Sequence, residues 1–391
     1  MIGGGWAGCA AAMRALNAGH HVTLFEAART LGGRARAVVD KAITLDNGQH
    51  ILLGAYHETL GLMQSVGIDL DAALERVPMR LGILQTTSWQ WRDYASMARL
   101  VMGWSLRGFS CPQTLTVKDL SQGASTRVMK DVIEPLCLSA LNTAVDVASG
   151  RVFLRVLKDA FLSKSFVHAG GVYASSDMLI PKVDLSTLLP SQVAQVLQGK
   201  GSCVRLGQRV VSLGSIQNDF DHIVVATQPS EAARLLREIA PDWAARVDAL
   251  EYRSIATVYA QAPADFCLPK LMCALQSDAQ NPAQFVFARR EAKGLLAFVV
   301  SDASHWANEG RDEIERRVLA QGEVKLAVAL QPVTTILEKR ATFACITQIK
   351  RPAKLELAGL SVVGDYIDGP YPSTIEGAVL SAQCYAIRKV K

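Results

Sequence analysis

The strongest constraint on what this chain can fold into lies at its start. Met1-Ile2-Gly3-Gly4-Gly5-Trp6-Ala7-Gly8 satisfies G-x-G-x-x-G through Gly3, Gly5 and Gly8. Residues 9–16 are small and helix-compatible, Gly19 is a helix stop, and His21-Val22-Thr23-Leu24-Phe25-Glu26 is an apolar run closed by an acid. Glu26 follows Gly3 by 23 positions, the spacing of a strand–helix–strand unit that binds a dinucleotide. In such a unit Gly3 permits the tight turn, Gly5 lets the backbone approach a pyrophosphate, and Gly8 lets the helix pack on the sheet. The phosphates would meet the first helical turn, at Trp6 and Ala7, where free N–H groups and the helix dipole favour anions. Glu26 would accept hydrogen bonds from ribose hydroxyls. Only Met1 and Ile2 precede the glycines, where a full strand is the rule. Either a clipped central strand with weakened cofactor affinity or a start codon assigned too late is expected.

Composition narrows the setting. The chain has 391 residues, half of them hydrophobic and 20% charged, enough apolar material for large cores and too little bias for disorder or a coiled coil. The net charge of +5 is spread without a basic block, which argues against a nucleic-acid partner. Eight cysteines show no CxxC pair and seven histidines no HExxH pattern, so no metal site is expected, and reduced thiols in a cytoplasmic compartment fit. No apolar run reaches the roughly 18 residues of a spanning helix.

After Glu26 comes Leu31-Gly32-Gly33-Arg34, and near the other end Val362-Val363-Gly364-Asp365 precedes Tyr371-Pro372-Ser373-Thr374-Ile375-Glu376-Gly377. Together these resemble the signatures of the flavin amine oxidase and phytoene desaturase superfamily. The resemblance implies FAD, with Gly32, Gly33 and Arg34 along its diphosphate and Gly364 and Asp365 at the ribityl-phosphate region. Backbone at Thr374 and Ile375 would face the flavin pyrimidine, where a helix dipole would favour negative charge. Residues 201–229 are similar to the superfamily's return to the cofactor domain, placing Val210 or Val211 near the adenine; Val211 is the residue carried forward. The implied fold is α/β. A Rossmann-like FAD-binding domain with a parallel sheet, formed by residues 1–78, 181–249 and 341–391, is interleaved with an α+β substrate-binding domain of residues 79–180 and 250–340. The first insertion carries Leu81, Ile83, Leu84, Trp89, Trp91, Met97, Leu100, Met102, Trp104 and Leu106, interleaved with Arg92, Arg99 and Arg107. That pattern suits either a helix at a membrane interface or a core helix pair with solvated arginines.

Internal strings narrow the resemblance. Asp46-Asn47-Gly48-Gln49-His50-Ile51-Leu52-Leu53-Gly54-Ala55-Tyr56, Glu134-Pro135-Leu136-Cys137-Leu138-Ser139-Ala140-Leu141-Asn142-Thr143 and Ser176-Asp177-Met178-Leu179-Ile180-Pro181 resemble the hydroxysqualene dehydroxylases. That family implies reductive removal of the hydroxyl of hydroxysqualene to give squalene, with hydride from reduced FAD. It also implies a hydrophobic isoprenoid substrate, upstream squalene-pathway enzymes as partners, and attachment to the inner face of the cell membrane. His50 is the expected proton donor to the leaving hydroxyl, or else a brace for the flavin loop. Gln49 and Tyr56 are orienting candidates, and Asp46 could be turn-forming. Two alternatives remain: an oxidative desaturase of a carotenoid precursor, and a non-catalytic prenyl-lipid carrier.

Overall fold

The structure, a computed structural model, describes residues 1–40, 43–80, 88–383 and 385. Leu81, Ile83 and Leu84 of the first insertion lie outside the described residues.

The β-branched runs flanking the glycines assemble into a twisted, mostly parallel sheet. Across it lie Cys203–Leu206, Thr23–Glu26, residues 1–3, Ile223–Val225 and Leu360–Val362, with Glu356–Leu357 antiparallel at the edge. Residues 1–3 occupy the central slot. Ile2 bridges Phe25 on one side and Val225 on the other, donating to Val224 O at 2.8 Å and accepting from Ala226 N at 2.8 Å. The chain then turns at Gly3, whose φ of +103° a side chain would strain. Gly8 is equally constrained, since a Cβ there would lie 1.9 Å from Gly3 O.

The two ends of the chain are packed together. Helix Trp6–Asn17 carries an alanine-rich buried face (Ala7, Ala10, Ala11, Ala15) and lies against helix Ile375–Gln383. Buried Glu376 accepts hydrogen bonds from Glu58 N, Thr59 N and Thr59 Oγ1, capping the start of helix His57–Ser65.

A second body is built on a five-stranded antiparallel sheet in the order Met272–Ala274, Phe285–Ala288, Leu295–Val300, Tyr252–Gln261, Gln331–Phe343. Its side chains alternate as a two-sided sheet requires. Ala256, Val258, Val286 and Phe298 face Ile314 and Val318 of helix Arg311–Leu326. Tyr259, Phe285, Phe287 and Val299 face helices Trp91–Leu106 and Gly150–Leu162 through Leu100, Trp104, Phe153 and Leu157. Pairing along the long edge strand is interrupted. Arg253 is opposite Thr342 but Ile255 is opposite Glu338, so two surplus residues of Gln331–Phe343 bulge beside Glu338.

Two of the expected domain boundaries fall inside strands. Met178–Pro181 crosses the one at 180/181 and pairs with Leu74–Val77 and Leu52–Leu53. Gln331–Phe343 crosses the one at 340/341, so one continuous strand enters both bodies.

Candidate active site

The glycines of the two N-terminal turns stand face to face. Gly5 bridges Gly32, and Gly32 N donates to Gly4 O at 2.8 Å. A Cβ at Gly5 would meet nothing nearer than Gly33 Cα at 3.8 Å, so it would project into open space. That space is a cavity of about 450 Å³ lined by Gly3, Gly5, Trp6 and Ala7 from the first turn, and by Gly32, Gly33 and Arg34 from the second. Gly364, Asp365, Thr374 and Ile375 close it from the C-terminal side.

Glu26 sits at one end of this cradle. Its Oε2 accepts from Gly4 N at 2.7 Å and its Oε1 from Ala28 N at 2.8 Å, which fixes the carboxylate toward the cavity it lines. Toward the other end Arg34 is ion-paired with Asp365 and donates to Ala341 O at 2.7 Å. Burial works against the Arg34 charge, but Asp365 and, more weakly, Glu338 hold its pKa above the ordinary arginine range. Thr374 Oγ1 accepts from Gly377 N at 2.9 Å and so caps the helix that begins at Ile375.

Gly8 lies under the turn, outside the cavity lining, where it permits the close packing expected of it. One expected contact is placed differently. Val211 is 69% exposed and points away, while its neighbour Val210 lines the cavity. In extended backbone successive side chains alternate, so a one-residue shift exchanges the inward and outward valine.

A second cavity, of about 580 Å³, opens between the antiparallel sheet and the helices of the first insertion. Phe285, Phe287, Val299 and Ile336 form its floor; Met97, Phe153, Leu157 and Phe161 form its walls. Seven residues line both cavities: Arg34, His50, Glu338, Ala341, Ser373, Thr374 and Ile375. The polar cradle and the apolar chamber therefore meet along one seam.

His50 lies on the seam, and its surroundings change its expected role. Its Nδ1 is 3.2 Å from Gly48 O, and burial, with Arg34 nearby, pushes its pKa down to about 4. The imidazole is neutral at pH 7, with its N–H donated to Gly48, so no imidazolium proton is on offer there. Of the two expected roles, the geometry favours the brace. Gln49 is equally committed. Its Oε1 accepts from Arg289 Nη1 at 2.5 Å. Asp46 opens the turn through its carbonyl, which accepts from Gly48 N at 2.7 Å, and its buried carboxylate pairs with Arg289 at 2.8 Å and accepts from Leu185 N at 2.8 Å. Tyr56 lines the apolar chamber, and burial pushes its hydroxyl pKa up.

Known proteins share this arrangement. Residues 1–65 match the NAD(P)-binding Rossmann-like domain, and residues 90–386 match the flavin containing amine oxidoreductases. The chain belongs to the flavin containing amine oxidoreductases. A hydroxysqualene dehydroxylase of Rhodopseudomonas palustris is 25% identical over 97% of this chain and 95% of its own length. The zeta-carotene desaturase of Synechocystis is 37% identical, but over only 19% of this chain and 16% of its own. An oxidoreductase from Methanosarcina mazei has the same fold, with a TM-score of 0.75 at 16% identity over 98% of both chains.

The chain is thus a flavin-dependent oxidoreductase, and the cradle fits a flavin nucleotide on its own evidence. Gly5 leaves unfilled the space a Cβ would take, and the Thr227 hydroxyl beside the cavity is buried without a partner. Sequence reasoning missed Thr227, Arg289 and Glu338. Arg289 and Glu338 sit in no motif, and what makes them part of the site is contact with residues about 240 and 290 positions away. Among the described residues, no group of three or more metal-ligating side chains comes together.

Proposed function

We propose that this flavin oxidoreductase binds FAD and reductively removes the hydroxyl of hydroxysqualene, releasing squalene. The observation that carries the reading is the seam: a chamber walled in large part by phenylalanine, leucine and methionine opens directly onto the cradle. Similarity to hydroxysqualene dehydroxylases along nearly the whole chain supports it, whereas similarity to zeta-carotene desaturases is confined to about a fifth.

The residues have distinct tasks. Glu26 would hold the adenosine ribose, and the paired glycine turns with the start of helix Trp6–Asn17 would hold the diphosphate. Arg34 and Asp365 would hold the ribityl-phosphate portion. The capped helix at Thr374 and Ile375 would present its N-terminus to the pyrimidine edge. Reduced flavin supplies a hydride when bound. The chamber holds the allylic carbon at the seam and excludes the water that would recapture a cation-like carbon.

The test is an anaerobic incubation of the holoenzyme, reduced with dithionite, with hydroxysqualene. Squalene is expected in step with flavin oxidation. No squalene from fully reduced, flavin-loaded protein, or conversion of phytoene by the oxidised form, overturns the assignment.

The chamber's substrate resides in lipid, and the surface near its mouth is suited to reach it. On helix Trp91–Leu106, Trp91, Tyr94, Met102 and Leu106 are exposed at helical spacing, with Arg92, Arg99 and Arg107 beside them. Met97 of this helix and exposed Phe161 line the chamber. No described helix is long and apolar enough to cross a membrane, and the proposed attachment is peripheral, with the apolar stripe in the interface and the arginines on anionic headgroups.

A further inference from the structure

Resting on the dehydroxylation reading, the geometry points to Glu338 as a catalytic carboxylate that stabilises positive charge developing on the substrate's allylic carbon. Among the described residues lining the apolar chamber, Glu338 is the one acidic side chain, and it stands on the seam with the cradle. The bulge in Gln331–Phe343 begins immediately after it. Irregular pairing of this kind re-aims side chains next to reactive sites.

Hydrogen-bond donors hold both carboxylate oxygens of Glu338 in place. Glu338 Oε2 accepts from Asn47 Nδ2 at 3.3 Å, and Oε1 accepts from Arg340 N at 3.2 Å, so both oxygens act as acceptors. The titratable groups around it come from three other elements. Arg34 is on the second glycine turn, His50 on the 46–50 loop, and Tyr252 on the adjacent strand, near Arg34. Arg34 is already neutralised by Asp365 and His50 is uncharged at pH 7, so the seam keeps one net negative charge. Arg340, on the same strand, turns its guanidinium to Ser230 Oγ at 3.0 Å. Among the described residues of the chamber lining, Arg80 is the other charged side chain besides Arg34, so Glu338 is the one group there that can carry negative charge to the substrate.

The step balances as follows. The carbon–oxygen bond breaks with its electron pair on oxygen, which takes a proton relayed from bulk solvent through the Tyr56 hydroxyl of the chamber lining and leaves as water. The carbon, positive across its allyl unit and facing Glu338, receives a hydride from reduced flavin, which is oxidised by two electrons. Glu338 is a carboxylate before and after. An external two-electron donor restores the flavin.

Two measurements on the holoenzyme decide the proposal. The first is binding, at pH 7.5 and with oxidised flavin, of a C30 isoprenoid amine that carries an ammonium in place of the reacting carbon, with squalene as the neutral control. The wild type should prefer the amine over squalene at least tenfold more than Glu338→Gln does, with equal flavin content in both. An unchanged preference overturns the proposal. The second is the pH profile of the single-turnover rate. A carboxylate that acts as an anion makes the wild-type rate rise with pH through its ionisation. Glu338→Gln should lose that limb and about 10²–10³-fold in rate, as for other single electrostatic groups. Glu338→Asp should keep the limb at a reduced rate, which separates charge from folding. A wild-type rate that falls as pH rises through the carboxylate range would make Glu338 a proton donor and overturn the proposal. If wild type forms no squalene at all, the dehydroxylation reading fails, while the amine preference still reports on Glu338.

Discussion

The cradle and the chamber share a seam but are made in different ways. The cradle is mostly backbone: two glycine turns a few ångströms apart, one capped helix start and a carboxylate held by two amides. The chamber is mostly side chain, with walls and floor drawn from helices and strands spread over residues 47 to 342. A backbone site tolerates almost no added atoms and depends on a few fixed positions. A side-chain site depends on the summed shape of many residues, each replaceable at modest cost.

The sharpest break should come in the cradle. Gly5→Val places a side chain in the open space facing Gly33, and Glu26→Ala removes the carboxylate at the far end. Both should lose at least 100-fold in flavin affinity, read from the absorbance of purified protein and from reconstitution. The melting temperature of flavin-free Gly5→Ala should stay within about 2 °C of wild type, because the added Cβ meets nothing nearer than Gly33 Cα at 3.8 Å. A yellow, stoichiometric Gly5→Val protein would refute the cradle.

The next effect concerns the joint between the regions. Arg289→Met leaves Asp46 buried without its partner and should cost about 3–5 kcal/mol in urea unfolding, the usual penalty for an unpaired buried charge. A loss below 1 kcal/mol would show that Asp46 gains no stability from the pair.

A smaller effect belongs to the chamber's mouth. Trp91→Asp with Leu106→Asp should lower binding to anionic vesicles about tenfold, as expected when exposed apolar area is withdrawn from an interface. Turnover of detergent-solubilised substrate should be unchanged. Equal vesicle binding would remove the stripe from the membrane proposal.

The smallest effect is at His50. Its folded pKa of about 4 lies below the ordinary 6.5, so the unfolded chain binds its proton first. Its contribution to stability is complete above pH 6.5 and is lost as pH falls from there toward 4. Urea midpoints at pH 7 and pH 5 should therefore differ less in His50→Ala than in wild type. Turnover between pH 6.5 and 8 should show no histidine limb in either protein. A limb in the wild type alone would restore His50 as an acid.

The contrast also explains what could be read in the primary structure. Gly3, Gly5 and Glu26 were legible because a tight turn, a close backbone approach and a strand-ending acid each demand a residue type at a fixed spacing. The two ends were legible as a pair, and they pack together as helices Trp6–Asn17 and Ile375–Gln383. The central strand is as short as expected, and Ile2 obtains its pairing from strands that arrive more than twenty and more than two hundred residues later. Val211 was chosen over Val210 because two adjacent valines carry no mark of which faces inward. Glu338 and Arg289 were invisible for a deeper reason. Their meaning comes from a bulge and from buried partners, which the fold creates and local sequence does not encode.

The strand Gln331–Phe343 belongs to both compartments, with Ile336 lining the apolar chamber and Ala341 lining both cavities. Any lineage that reshaped the chamber along this strand would disturb the cradle in the same stroke. Descendants with new substrate tastes should therefore carry their changes on the helices between residues 91 and 162, which can drift without touching the shared beam.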